Sequence, residues 1–184
     1  MPQGDAAAMM DPGGFTVSET LRNGLAVTIR ALCDDDREKV AKAVRGLDRE
    51  SIYTRLFSYR RELTETGLDR IMHFDPDSEV VLIVTTGSGV GEIVIGSGRY
   101  VVGSGEQGGR DAEVAFMVEE DYHGLGIARR LLMHLATVAR AQGIAAFEAT
   151  VLAGNKAMLS VFARSGLPMR KHNEGGEIHV TLTL

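Results

Sequence analysis

The stretch Tyr122-His123-Gly124-Leu125-Gly126-Ile127-Ala128-Arg129-Arg130 decides how this 184-residue chain is read. Ahead of it, Glu113-Val114-Ala115-Phe116-Met117-Val118 is a strand-like run. Behind it, residues 131–140 carry apolar side chains at helical spacing. Strand, tight glycine loop and helix, in that order, aim several backbone N–H groups and the positive end of a helix dipole at one point. That arrangement suits a diphosphate. Two other phosphate loops do not fit the residues. The third glycine of Gly-x-Gly-x-x-Gly is replaced by Arg129, and no Gly-Lys-Ser/Thr follows.

Working outward, residues 17–30 hold Asn23-Gly24 between extended flanks, which predicts a type I′ hairpin. Asp34, Asp35 and Asp36 cap a helix expected to run to about Val44. Further helices are expected over 49–57 and from an N-cap at Thr64 to about His73. Strands are expected over 80–85 and 93–102, separated by a turn at Gly87-Ser88-Gly89. Gly96 and Gly98 should weaken or kink the second of these strands. Residues 104–109 read as a glycine-rich loop. Past the central motif, the helix is expected to reach about Gln142 with Gly143 as its C-cap. A strand over 145–151 and a helix over 156–164 ending before Gly166 come next. A closing hairpin brackets Asn173-Glu174-Gly175-Gly176. The order predicts a mixed α/β layer structure. Residues 1–14 read as a flexible tail and 15–184 as a single domain.

Composition narrows the function classes. A formal net charge of -5 argues against a general nucleic-acid binder. No apolar run approaches the roughly 20 residues that span a bilayer, and the N-terminal residues do not resemble a secretory signal. The one cysteine, Cys33, cannot close an internal disulfide, so the expected setting is the reducing cytoplasm. Three aspartates follow Cys33 and would raise its thiol pKa, which marks it as structural rather than reactive. No His or Cys pair has ligand spacing, so no metal is expected.

The pattern His123-Gly124-Leu125-Gly126-Ile127-Ala128, with Asn155 and Ser165-Gly166-Leu167, resembles the GNAT superfamily of acyl-CoA-dependent N-acyltransferases. The resemblance runs from about Thr28 to the C-terminus. Within that superfamily the chain looks most like the bacterial Pat-type protein lysine acetyltransferases. The stretches that suggest this are residues 47–58, Ala112-Glu113-Val114-Ala115 and Asn155-Lys156-Ala157-Met158-Leu159. The resemblance implies a mostly antiparallel central sheet, splayed after the fourth strand, with helices on both faces. It also implies acetyl-CoA as co-substrate. The pantetheine arm would pair with Phe116, Met117 and Val118, and the diphosphate would rest on Gly124, Leu125, Gly126, Ile127, Ala128 and Arg129. His123 stands where the family usually has Gln or Arg. Asn155 would contact the cofactor while capping its own helix. The family's tyrosine acid, four residues before the helix-ending glycine, is replaced by Phe162.

The expected reaction is direct attack of an amine on a thioester. An ordinary lysine amine has a pKa near ~10.4 and must lose a proton first, which calls for a positioned carboxylate. Glu113, at the start of the strand that would hold the thioester, is the candidate base. Its strand neighbours suggest apolar surroundings and hence a raised pKa. The Met117 or Val118 N–H would steady the carbonyl oxygen. Arg129 and Arg130 add positive charge in the first helical turn, where a dipole alone favours acids. His134 reads as structural, whereas His172 and His179 could approach the acceptor side. Tyr53, Arg55, Phe57 and Tyr59 could line the acceptor groove, although packing explains Phe57 equally well. The leading expectation is an acetyl-CoA-dependent N-acetyltransferase for protein lysines. A small-molecule amine acetyltransferase and a non-catalytic acyl-CoA-binding regulatory module are the alternatives.

Overall fold

The computed structural model describes residues 11–46, 65–104 and 110–184. The expected helix over 49–57, the Thr64 cap, the loop residues 105–109 and the side chains of Tyr53, Arg55, Phe57 and Tyr59 lie outside them. So do residues 1–10 of the expected tail, while Pro12–Gly14 form a 3-10 turn capped by Asp11.

The strands are β1 (Thr16–Thr20), β2 (Ala26–Ala31), β3 (Glu79–Thr86), β4 (Ile93–Ser104), β5 (Arg110–Val118), β6 (Ala146–Leu152), β7 (Met169–Glu174) and β8 (Glu177–Thr183). The helices are α1 (Arg37–Gly46), α2 (Glu65–Met72), α3 (Ile127–Ala141) and α4 (Lys156–Ala163). The strands form one sheet in the order β1-β2-β3-β4-β5-β6-β8-β7. Every neighbouring pair is antiparallel except β5 and β6.

Strand β3 shows why helices must cover both faces, because its whole interior is buried. Val80, Leu82 and Val84 join the α3 residues Leu131 and Leu135 in one core. Val81 and Ile83 alternate to the other face, where Val40 and Ala41 of α1 and Leu68, Ile71 and Met72 of α2 cover them. Cys33 and Asp36 sit at the start of α1. Asp36 is 1% exposed and accepts two bonds from the Arg30 guanidinium, at 2.6 and 2.7 Å. It also accepts from the Cys33 N–H and thiol. Burial alone would raise the Asp36 pKa, but the bonds from Arg30 and Cys33 outweigh it and hold the carboxyl well below the usual range. Burial, with the carboxylate beside it, pushes the Cys33 thiol up, which agrees with a structural role.

Two sequence expectations need correction. The first hairpin does not use a two-residue type I′ turn. The Gly24 N–H donates to Leu21, and Leu21 and Leu25 are bonded, which makes a three-residue loop with Gly24 left-handed at φ 86°. Gly96 and Gly98 do more than weaken β4. The register does shift beside Gly96, where Val84 pairs with Gly96 but Thr85 with Val94. The stronger reason for glycine is space. A Cβ at Gly98 would lie 3.0 Å from the Phe116 ring and 3.1 Å from Leu135, and one at Gly96 would lie 3.0 Å from Ile127. These glycines let α3 settle directly on the sheet. The sheet parts where the resemblance implied, after the strand that carries Phe116, Met117 and Val118, which is the fifth strand of this chain. β5 and β6 pair only through Asp111–Ala146, Ala112–Phe147 and Glu113–Glu148, then separate.

Candidate active site

The parting of β5 from β6 opens a cleft of about 340 Å³. Its apolar walls follow from strand alternation and one helix face. Phe116 and Val118 stand on β5, Ala149 and Val151 on β6, and Met158 and Val161 on α4. Phe162, the residue at the expected tyrosine position, is 1% exposed. Its ring meets Phe116 edge-on with centroids 6.3 Å apart. The position therefore serves the core and the cleft wall.

The glycine loop closes one end. Gly124 and Gly126 are left-handed, at φ 74° and 87°, a conformation that costs other residues energy. Gly126 is the N-cap of α3 and supplies no side-chain bond to it. From Gly124 to Arg129 no backbone N–H has a protein acceptor among the described residues. Six consecutive free donors and the N-terminus of a 15-residue helix thus lie at one end of the cleft. Free amides at such a point are the physical requirement for holding an anion. α4 differs, because its N-cap Asn155 accepts from the Met158 N–H at 3.1 Å. The Asn155 amide nitrogen makes no bond among the described residues, so it can face the cleft while its oxygen caps.

Most of the expected site residues meet here. Glu113, Phe116, Val118, His123, Gly124, Gly126, Ile127, Ala128, Arg129 and Asn155 all line the cleft. Met117 and Leu125 do not. Met117 alternates to the other strand face, and Leu125 packs on the core. Their backbone groups remain part of the strand and the loop. The His123 ring nitrogen Nε2 lies 2.9 Å from the Val118 carbonyl, which fixes the loop to the end of β5 and takes up that carbonyl. Glu113 is exposed rather than set among apolar groups as its strand neighbours suggested.

Arg130 is a correction. Its guanidinium donates to Glu19 and to the Thr20 carbonyl, and His134 contacts the same carboxylate. Arg130 is therefore a strut between α3 and β1, not a cleft cation. Burial tends to raise the Glu19 pKa, but the bonds from His134 and Arg130 prevail and lower it. His134 is structural as expected. His172 and His179 face each other across the β7–β8 hairpin, and His179 touches Thr150 of β6 at 3.3 Å.

Sequence reasoning missed Arg22 and Arg164, which line the cleft, and Glu148, the register partner of Glu113. Arg22 comes from a hairpin more than a hundred residues before the loop, so spacing carried no signal for it. The pairing of Glu148 follows only from the parallel register. Among the described residues no group of three or more His, Cys, Asp and Glu could hold a metal ion, and no helix is long and apolar enough to cross a membrane.

Comparison with known proteins bears on a cleft of this shape. The profile of the acetyltransferase (GNAT) family matches residues 47–167. The chain belongs to that family. It is 30% identical over 141 residues to the acetyltransferase PA5475 of Pseudomonas aeruginosa, covering 76% of this chain and 74% of the relative. It is 31% identical over 146 residues to the acetyltransferase Pat of Mycolicibacterium smegmatis, covering 79% of this chain but 42% of that longer protein. The solved GNAT domain of the S. lividans PAT superposes with a TM-score of 0.78 at 31% identity, over 92% of this chain and 97% of that one. The protein is thus a GNAT N-acetyltransferase whose acyl donor is acetyl-CoA. The residues suit that donor. The apolar slot between β5 and β6 has the character that a pantetheine arm would need, and the free N–H groups are donors of the kind that a diphosphate would need.

Proposed function

We propose that this GNAT enzyme acetylates lysine side chains of proteins, with Glu113 as general base. The observation that carries the reading is the position of Glu113. It stands on the last paired rung of β5 and β6, at the apex of the cleft and three residues from Phe116. Glu148 pairs with it in register, and both side chains are exposed. Two carboxylates at the apex favour a cationic acceptor such as an alkylammonium. The likeness to Pat and to the S. lividans PAT domain supports a protein acceptor.

In this reading acetyl-CoA supplies an activated acyl group. The amides of residues 124–129 hold its diphosphate, Phe116 and Phe162 flank its arm, and Asn155 offers its amide nitrogen. Glu113 accepts the proton of the incoming ammonium, directly or through one water. The freed amine nitrogen bonds to the acyl carbon and the carbon–sulfur bond breaks; the nitrogen sheds its second proton to solvent to become a neutral amide, and the thiolate takes a proton from solvent. The Met117 or Val118 N–H steadies the carbonyl oxygen as it gains charge. Phe162 has no proton to give.

Glu113→Gln should lower kcat by roughly 100- to 10,000-fold while acetyl-CoA affinity stays near that of the parent. Unchanged turnover would remove Glu113 from the mechanism. Incubation with radiolabelled acetyl-CoA and a bacterial lysate tests the acceptor. Label should enter protein at lysine, and label confined to small molecules would refute the protein substrate.

A further inference from the structure

Both oxygens of the Glu19 carboxylate are taken. Oε2 accepts from Arg130 Nε, and Oε1 meets His134 Nε2. The His134 ring packs in turn on Phe15, with centroids 5.4 Å apart, and Phe15 is buried. Arg130 and His134 stand one turn apart on α3. Glu19 belongs to β1, an edge strand, and does not line the cleft. A carboxylate at the edge of the sheet therefore grips the first turns of the helix that follows the glycine loop.

The loop shows why such a grip matters. Glycine has more backbone freedom to lose than any other residue, and Gly126 caps α3 without a side-chain bond. Order in the loop is thus imposed from outside it. His123 ties the entrance to the Val118 carbonyl. At the exit the Arg130 N–H donates to the Gly126 carbonyl at 3.2 Å. The Arg130 guanidinium lies back over Gly126, where a Cβ would come within 3.0 Å of Nη1, and its Nη2 donates to the Thr20 carbonyl at 2.8 Å. Two residues beyond Thr20, Arg22 lines the cleft. Through one arginine, Glu19 sets both where the free amides stand and where the β1–β2 hairpin meets them. Donors already fixed when a ligand arrives need no ordering on binding.

We propose that Glu19 is a positioning residue for the acyl donor: it holds Arg130 and His134, fixes the exit of the glycine loop, and strengthens acetyl-CoA binding without touching the ligand. The inference rests on the reading of residues 124–129 as the diphosphate site.

The test is calorimetric titration of the full chain with acetyl-CoA, and it turns on a sign. The donor is a polyanion, so removing a carboxylate should tighten binding on charge alone. Positioning predicts the opposite, and Glu19→Gln should weaken acetyl-CoA by roughly 5- to 50-fold. Arg130→Gln should weaken it as well. The Glu19→Gln/Arg130→Gln double variant should bind within about twofold of Arg130→Gln alone, because Glu19 acts through Arg130. Glu19→Asp keeps the charge and shortens the reach by one methylene. It should fall between the parent and Glu19→Gln, and it carries the test if Glu19→Gln does not fold. Asp36→Asn removes a buried carboxylate at the start of α1 and controls for general loosening, so it should bind acetyl-CoA as the parent does. Unchanged or tighter binding by Glu19→Gln, additive losses in the double variant, or an equal loss in Asp36→Asn overturns the role. Gly126→Glu separates the role from the loop reading. If it binds as tightly as the parent, the diphosphate site falls and the role with it. If it does not bind while Glu19→Gln binds like the parent, only the role falls.

Discussion

Replacing Gly126 with alanine tests how the loop is held, with Gly124→Ala as the matched control. Both glycines are left-handed, so each alanine meets a backbone penalty of about 1–2 kcal/mol. At Gly124 a Cβ would find nothing within 4 Å, and the penalty should end there. At Gly126 the new Cβ would lie 3.0 Å from Arg130 Nη1. The end of an arginine is normally free to move aside, but this one is held by Glu19 and by the Thr20 carbonyl at 2.8 Å. Displacing it costs a charge-assisted bond of about 1.5–3 kcal/mol. The expected losses in urea unfolding are therefore about 1–2 kcal/mol for Gly124→Ala and about 2.5–5 kcal/mol for Gly126→Ala. Calorimetry should also show acetyl-CoA affinity falling further in the second variant, because Arg130 and the amides of α3 move together. Equal destabilisation by the two substitutions would refute the anchoring of Arg130. It would leave backbone strain as the whole role of the glycines.

Asp36→Asn should cost about 3–5 kcal/mol, since it strands the Arg30 guanidinium beside a neutral amide. The pH profile follows from the sign of the shift. The folded pKa of Asp36 lies below its unfolded value near ~3.9, so its stabilisation is complete above that value and is lost as pH falls toward the folded pKa. Unfolding scans between neutral pH and pH 2 should show the parent losing stability on acidification more steeply than Asp36→Asn, and parallel curves would contradict this. Gly98→Ala should cost about 1–3 kcal/mol by crowding Phe116 and Leu135. Adding Phe116→Leu should recover part of that loss, as a double-mutant cycle in urea can read. Glu148→Gln should raise KM for a lysine-bearing acceptor by roughly two- to fivefold with little change in kcat. A matching fall in kcat would give Glu148 a share in proton transfer.

What could be read from the chain beforehand was local. The strand into His123-Gly124-Leu125-Gly126, the α3 stripe of Leu131 and Leu135, and the Gly143 stop each depend on residues a few positions apart. So does the final hairpin, where Gly175 and Gly176 take φ 59° and 93° between paired Glu174 and Glu177. The helix stop even shows the expected closing bond, from the Ile144 N–H to the Ala139 carbonyl. What escaped was set by tertiary contact. Arg129 and Arg130 are adjacent and chemically alike, yet one faces the cleft and the other is claimed by Glu19, 111 residues away. Gly96 and Gly98 look like strand breakers until the helix that lies on them is known. The exposure of Glu113 depends on how soon β6 leaves β5, and no periodicity encodes that distance.

The three-rung seam between β5 and β6 has a further consequence. A slot bounded by two strands that converge on Glu113 and Glu148 is a wedge, and whatever lies in it can descend no further than the last hydrogen-bonded rung. The floor of the cleft is therefore main chain rather than side chain. Its depth is set by where two strands stop pairing, and a shift of one rung would change it without altering a residue of the glycine loop.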